Sequence, residues 1–474
     1  MAIPDGTPYL LSPRFEYDVP LNAYFLQANN ASAPQNTSLN RARALKRFLD
    51  FLWFSRRGSG WRDATETDHL AFHQWRRRDE LGPRVEGTTW GQEVTLVNQF
   101  YLWAVRKGHV AENPIPQRAR RAVPMGLGIH QHGTGRGTQG TVPATFAHDG
   151  KRDLVEWMPP GSYRRWRDVG LRGYGTDGLP TGRFRGRWVS RNAAYADLMI
   201  RTGMRISEQS SLALAEIPLR FERGGFQRFW LPGEIAKYFS ARWIYVPASV
   251  RSDLAAYVED DRADIVDRAR SAGRYTRMRR PLVMESPGDP HSIREVGSLS
   301  RRKLKLHRVG PKDRLRLMVD TVDGLEPAAF WLSEFGFQMA VSSWEDIFAQ
   351  ASRRCRQAGL PDLHCHAHLL RHSFAVITLE QLQRGHIAAM ADLVPAQRGH
   401  YTRIFGDPLD WVRRRLGHRS ILHTLIYLHA LQELEMETRM ALVPDTWEDP
   451  RTTPLDLVGD DASSPHGDET EGSR

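Results

Sequence analysis

Between Ser38 and Trp53 the apolar residues fall at Leu45, Phe48, Leu49, Leu52 and Trp53. This is the i, i+3, i+4, i+7, i+8 spacing that lines one face of a helix. Thr65 with Asp68 three residues later has capping-box spacing, and the helix it opens runs through Phe72 and Trp75 into Arg76, Arg77 and Arg78. A third helix starts near Thr89, aligns Val97, Phe100, Tyr101, Ala104 and Val105, and ends at Arg106, Lys107 and Gly108 before Asn113–Pro114. Residues 38–115 are therefore expected to form an all-helical domain behind an N-terminal extension, 1–37.

Periodicity then lapses. Residues 116–189, with Gly126, Gly128, Gly133, Gly135, Gly137 and Gly140, read as a linker or insertion. Gly133 to Gly137 is no phosphate loop, because no apolar strand precedes it and no helix pattern comes after. Order returns near Ser190, with helices over 191–201 and 206–215. Strands at Phe229–Leu231 and Arg242–Pro247 then flank a polar turn containing Lys237. Residues 260–335 form an insertion of mixed structure. Ser343 with Asp346 opens a helix ending near Gly359, and 366–380 and 409–441 are helical. The predicted class is mainly α with a small β-sheet (α+β), with a second domain over 190–444.

At 474 residues the chain exceeds what one core supports. Its net charge of +11 favours a polyanionic partner. Residues 445–474 hold nine acids against Arg451 and Arg474, which reads as an acidic disordered tail and leaves about +18 on residues 1–444. The two cysteines, Cys355 and Cys365, imply no disulfide framework and fit a reducing cytoplasm. Met1 to Arg14 has no basic stretch leading into an apolar one, and no run of eighteen apolar residues occurs, so nucleic acid is favoured over membrane.

Three segments combine phosphate-binding side chains with a nucleophile: Thr202-Gly203-Met204-Arg205-Ile206-Ser207-Glu208, His368-Leu369-Leu370-Arg371-His372-Ser373-Phe374-Ala375, and Leu416-Gly417-His418 with Tyr427 nine residues on. Arginine is always charged and its planar donor fork suits phosphate oxygens, so Arg205 and Arg371 are candidates to hold a phosphate without a metal. Tyr427 is the candidate nucleophile, since a phosphotyrosine retains the energy of the broken bond for resealing without ATP. The three boxes, in this order and with this interval, resemble the tyrosine recombinase or phage integrase family over residues 38–115 and 190–440.

That resemblance implies a helical SAM-like core-binding domain and a catalytic domain gripping opposite faces of double-stranded DNA. It implies transfer of a DNA 3′-phosphate to Tyr427, a phosphate held by Arg205, Arg371 and His418, and His368 assisting proton removal. It also implies a lysine that protonates the leaving 5′ oxygen. Lys237 is the candidate, being the lone lysine between Lys151 and Lys303, although Ala236-Lys237-Tyr238 stands where the family has Gly-Lys-Gly. Glu208 is read as orienting a catalytic cation, His372 as a supporting residue, Arg76 to Arg78 as lining DNA, and the leucines of 421–441 as part of a subunit contact. A homotetramer on synapsed DNA, accessory DNA-bending proteins, no cofactor and a nucleoid-associated cytoplasmic location are implied by the same resemblance.

Other classes share some of these features. A catalytically inactive sequence-specific DNA-binding protein has the charge but no need of the ordered residues. A metal nuclease is suggested by the cluster His364-Cys365-His366 with His368, but alternate residues on a helix diverge, a second cysteine at ligand spacing is missing, and the second box already accounts for His368. Transposase and topoisomerase-like relaxing activities belong to the favoured class.

Overall fold

The computed structural model describes residues 3, 6–119, 141–147, 155–182, 184, 186–219, 225–285, 292–297, 304–391 and 407–440, with no side chains described for 386–391 and 433–440. Two compact units result, Met1–Asp153 and Leu154–Arg474. The expected tail 445–474, the glycines from Gly126 to Gly140 and most of the stretch 383–408 lie outside the described residues.

The first unit is built from α1 (Val19–Leu26), α2 (Gln35–Ser55), α3 (Glu66–Arg77) and α4 (Gly87–Arg106). Their apolar stripes meet in an aromatic core in which Phe48 lies edge-on to Phe72, ring centres 5.1 Å apart at 71°. The Thr65–Asp68 capping box forms as the spacing predicts. The core extends beyond 38–115. Leu21, Tyr24 and Phe25 of α1 enter it, and Trp90 donates to the Thr145 carbonyl at 2.7 Å beside a two-stranded ribbon, β1 (Gln117–Ala119) with β2 (Thr141–Pro143). The reading of Arg76 as a DNA-lining residue is corrected. Its guanidinium is buried and pairs twice with Glu93, at 2.9 and 2.6 Å, because the helix end that carries it faces α4.

The second unit comprises α5 (Pro160–Trp166), α6 (Val189–Thr202), α7 (Ile206–Ser210), β3 (Phe226–Leu231), β4 (Arg242–Pro247), α8 (Ala248–Tyr257) and α9 (Ala263–Ser271). The strands β5 (Leu282–Met284), β6 (Ile293–Glu295), β7 (Leu317–Thr321) and β8 (Gly324–Pro327) come next. They precede α10 (Val341–Gln357), α11 (Ala367–Ala391), α12 (Pro408–Leu416) and α13 (Leu422–Met440). At the centre Tyr195 stacks on Trp344, ring centres 3.6 Å apart, with Trp331 edge-on. The segment 260–335 contains a four-stranded sheet in the order β6-β5-β7-β8, in which only β5 and β7 run parallel. Leu282, Met284, Ile293, Leu317 and Val319 form a core of its own.

Three expectations change. The helix expected over 206–215 stops at Ser210, and Leu214–Glu216 forms a separate 3-10 turn. Ser210 and Ser211 hydrogen-bond back to the carbonyls of Ile206 and Ser207, the competition with the helix ladder that ends it early. The helix expected to open at Ser343 begins at Val341 behind Ala340 with no side-chain cap. The segment 409–441 is two helices, broken at Gly417, whose φ of 65° no continuing helix accepts.

Candidate active site

Two glycines end helices and thereby aim the candidate site residues. At the end of α6, Gly203 (φ 65°) donates to the Met199 carbonyl at 2.9 Å, the left-handed cap, and a Cβ there would come 2.3 Å from the Phe374 ring. At the end of α12, the N–H of Gly417 reaches the Arg414 carbonyl at 3.2 Å and that of His418 the Arg413 carbonyl at 3.0 Å, a Schellman cap. Arg205 and His418 lie directly beyond these caps.

Arg371, on α11 and 2% exposed, fixes the two ends to each other. It donates through Nη1 to the Gly203 carbonyl and through Nη2 to the Leu416 carbonyl at 2.6 Å. Helix C-termini offer unsatisfied carbonyls and a negative dipole end, an environment that tolerates a buried cation. Burial and the neighbouring Arg205 still press the Arg371 pKa downward.

Glu208, with no exposed surface, organises the other guanidinium groups. Its carboxylate accepts from the Arg205 backbone N–H at 2.9 Å and from Arg205 Nη1 at 2.8 Å, and Arg242 of β4 reaches it at 2.6 Å. Burial raises its pKa, but Arg242 and then Arg205 outweigh burial, and the value falls to about 2. Arg242 also donates to the Arg415 carbonyl at 2.8 Å, so the first box, the hairpin and α12 are joined through one guanidinium.

Tyr427, on α13, is 1% exposed, and its hydroxyl lies 3.0 Å from His372 Nδ1. Burial raises its pKa, against the opposing charges of Arg371 and Arg205. The His418 ring lies parallel to the Tyr427 ring with centres 6.4 Å apart, and its Nδ1 is 3.1 Å from Thr424 Oγ1. Burial, then Arg371 and Arg205, lower His418 to about 3, while burial, then His368 and Arg371, lower His372 to about 4. His368 is lowered by burial and then by Arg371, His366, Arg205 and Lys237. At neutral pH the site therefore combines neutral imidazoles and a neutral phenol with permanent guanidinium charge.

Lys237 is exposed at the tip of the β3–β4 hairpin, its Nζ 5.1 Å from the Tyr238 ring. Tyr238 (φ 60°) and Phe239 (φ 54°) take left-handed backbone conformations, a region that ordinarily favours glycine. Arg419, next to His418, donates to the Tyr238 carbonyl at 3.1 Å and so ties the tip to the third box.

Neither a protein-family model nor a curated protein matches this chain. Solved structures do. XerH site-specific recombinase bound to its palindromic difH substrate has 14% identity and a TM-score of 0.45, covering 89% of this chain and 83% of that one. The Tn1549 transposon integrase in complex with circular intermediate DNA has 11% identity and a TM-score of 0.47, covering 88% and 98%. A lambda integrase dimer bound to a COC′ core site has 11% identity and a TM-score of 0.43, covering 86% and 93%. All three are tyrosine recombinases.

The structure brings Arg205, His368, Arg371, His418 and Tyr427 together, with Lys237 near enough for its charge to act on His368. Sequence reasoning missed Arg242. Its signal was faint, a lone arginine opening an apolar strand. The His364-Cys365-His366 cluster splits: the Cys365 thiol packs in the main core, where burial holds it protonated, and the two imidazole centres are 6.2 Å apart. No group of three metal-ligating side chains occurs among the described residues, nor any helix long and apolar enough to cross a membrane.

Proposed function

We propose that this chain is a tyrosine-type site-specific DNA recombinase that cuts and rejoins double-stranded DNA through a 3′-phosphotyrosine on Tyr427, without metal or ATP. The observation that carries the reading is the meeting of Arg205, Arg371 and His418 around the buried phenol of Tyr427. Attack on a phosphodiester builds negative charge on its non-bridging oxygens, and preorganised guanidinium donors stabilise that charge most where water is excluded. Arg205 and Arg371 supply the charge, and neutral His418 adds a hydrogen bond.

In this mechanism Tyr427 Oη gives up its proton to the imidazoles of α11 as it bonds to phosphorus, the bond to the 5′ oxygen breaks, and Lys237 protonates that oxygen. His368 supports Tyr427 from the α11 side. A 5′ hydroxyl from a partner duplex reverses the step, giving strand exchange within a homotetramer on synapsed DNA, assisted by DNA-bending proteins at the nucleoid.

The test uses a nicked duplex carrying the sequence that the protein selects from a random pool, incubated in chelator. The wild type is expected to form a denaturant-resistant adduct, and Tyr427→Phe none. A duplex that is bound but yields no adduct would move the inactive DNA-binding protein ahead.

A further inference from the structure

We propose that His372 is the group that takes the proton from the Tyr427 phenol during cleavage and returns it during rejoining; the proposal rests on the recombinase reading above. Its basis is the 3.0 Å contact between His372 Nδ1 and Tyr427 Oη. The other imidazoles are engaged elsewhere. His418 Nδ1 faces Thr424 Oγ1, and the His368 ring stands edge-on against the His372 ring, centres 4.2 Å apart, rather than against the hydroxyl.

Neighbouring positions on a helix diverge by about 100°. Arg371 therefore points at the two helix ends while His372 points at α13. A phenol O–H donates to this contact only if Nδ1 is unprotonated and the ring hydrogen sits on Nε2. The transfer is then balanced. The Oη–H proton moves to Nδ1 as the Oη–P bond forms, and the P–O5′ bond breaks as O5′ takes a proton from Lys237 Nζ. Rejoining runs both transfers backwards.

The groups acting on His372 are His368 and Arg371 of its own helix, His366 before it, and Tyr427 across from it, with Arg205 acting on Tyr427 and His368. Burial first, and then the cations among them, keep His372 a weak base in the free protein. A DNA phosphate bound by Arg205 and Arg371 offsets that charge, so basicity at Nδ1 rises when substrate is present. A base regulated in this way does not ionise the nucleophile before DNA arrives.

The experiment measures adduct formation on the selected nicked duplex from pH 6 to 10 for wild type, His372→Asn, Lys237→Ala and Tyr427→Phe. Asparagine sets an amide oxygen near the position of Nδ1 and can hold the phenol without accepting its proton. His372→Asn is expected to bind DNA like the wild type, to cleave roughly 10²- to 10⁴-fold more slowly, and to gain about tenfold per pH unit as the phenol ionises. A 5′-bridging phosphorothioate, which needs no proton on leaving, is expected to rescue Lys237→Ala but not His372→Asn.

Wild-type rates and pH profile in His372→Asn, with Tyr427→Phe inactive, would overturn the role of His372 and leave the recombinase reading standing. No wild-type adduct would overturn both. If the variant fails to fold, ¹⁵N shifts of the wild-type imidazole decide: a hydrogen on Nε2 is expected, and one on Nδ1 overturns the proposal.

Discussion

Glu208 shows what a single buried residue does here. It holds Arg205 at 2.8 Å and Arg242 at 2.6 Å with no exposure to water. Removing one member of a buried ion pair strands the other charge, so Glu208→Gln is expected to destabilise the protein by about 3–5 kcal/mol at pH 7. Because the folded carboxyl titrates at about 2 rather than its ordinary 4.5, the stabilisation is full above the ordinary value and fades as pH falls toward 2. Calorimetry should show the melting temperatures of wild type and Glu208→Gln converging across that window, with the variant's profile flatter. A constant gap between them would remove the carboxylate from this role. The residue pattern T-G-x-R-x-x-E announces the pair Arg205–Glu208, but nothing local to Arg242 announces the third partner, because that bond depends on where β4 lies against α7.

Among the elements, the β3–β4 hairpin carries two cations with separate tasks. Arg242 joins Glu208 to the α12 carbonyl of Arg415, whereas Lys237 is exposed at the tip. Arg242→Ala is therefore expected to lower stability by about 3–5 kcal/mol and to lose adduct formation with it. Lys237→Ala is expected to leave the thermal melt within about 0.5 kcal/mol of wild type while slowing cleavage roughly 10²- to 10⁴-fold. Thermal melts read beside adduct yields check both, and a destabilised Lys237→Ala would contradict the assignment.

Element existence was legible wherever a stripe was long. The helices Gln35–Ser55 and Gly87–Arg106 could be read from spacing alone, and the pairing of Phe226–Leu231 with Arg242–Pro247 from two apolar runs around a turn. The helix Val19–Leu26 is apolar nearly all round and has no polar face to set a period. The strands Leu282–Met284 and Ile293–Glu295, three residues each, are too short to show alternation. The box residues Phe374 and Ala375 are core side chains beside Val412, Leu416 and Tyr427, so the motif records packing as well as chemistry.

At the scale of the molecule the net charge of +11 is itself a testable quantity. Neutralising DNA phosphates releases condensed cations, and a protein making six to ten such contacts loses roughly 10³- to 10⁵-fold in affinity between about 50 and 200 mM salt. Tyr427→Phe, which binds without reacting under the proposal, is suited to that titration, and a flat salt profile would contradict a phosphate-dominated interface. The first unit has its own core, from Leu21 through Ile115.

The grip of Arg371 on Gly203 and Leu416 has a consequence for which lengths of chain can vary. Two helices must terminate at one point in space, and three of the candidate site residues are counted from such an end: Arg205 two residues past Gly203, His418 one past Gly417, Tyr427 nine further on. One residue added inside those counts turns the downstream helix by about 100° and shifts it by about 1.5 Å, which is enough to break the register of the chemistry. Among the described residues no hydrogen bond to these groups starts or ends within 260–335, so chain added in the loops of that segment leaves the counts unchanged. The arithmetic of the site is thus confined to a few dozen positions, and chains sharing it can diverge widely in size and in almost every other letter.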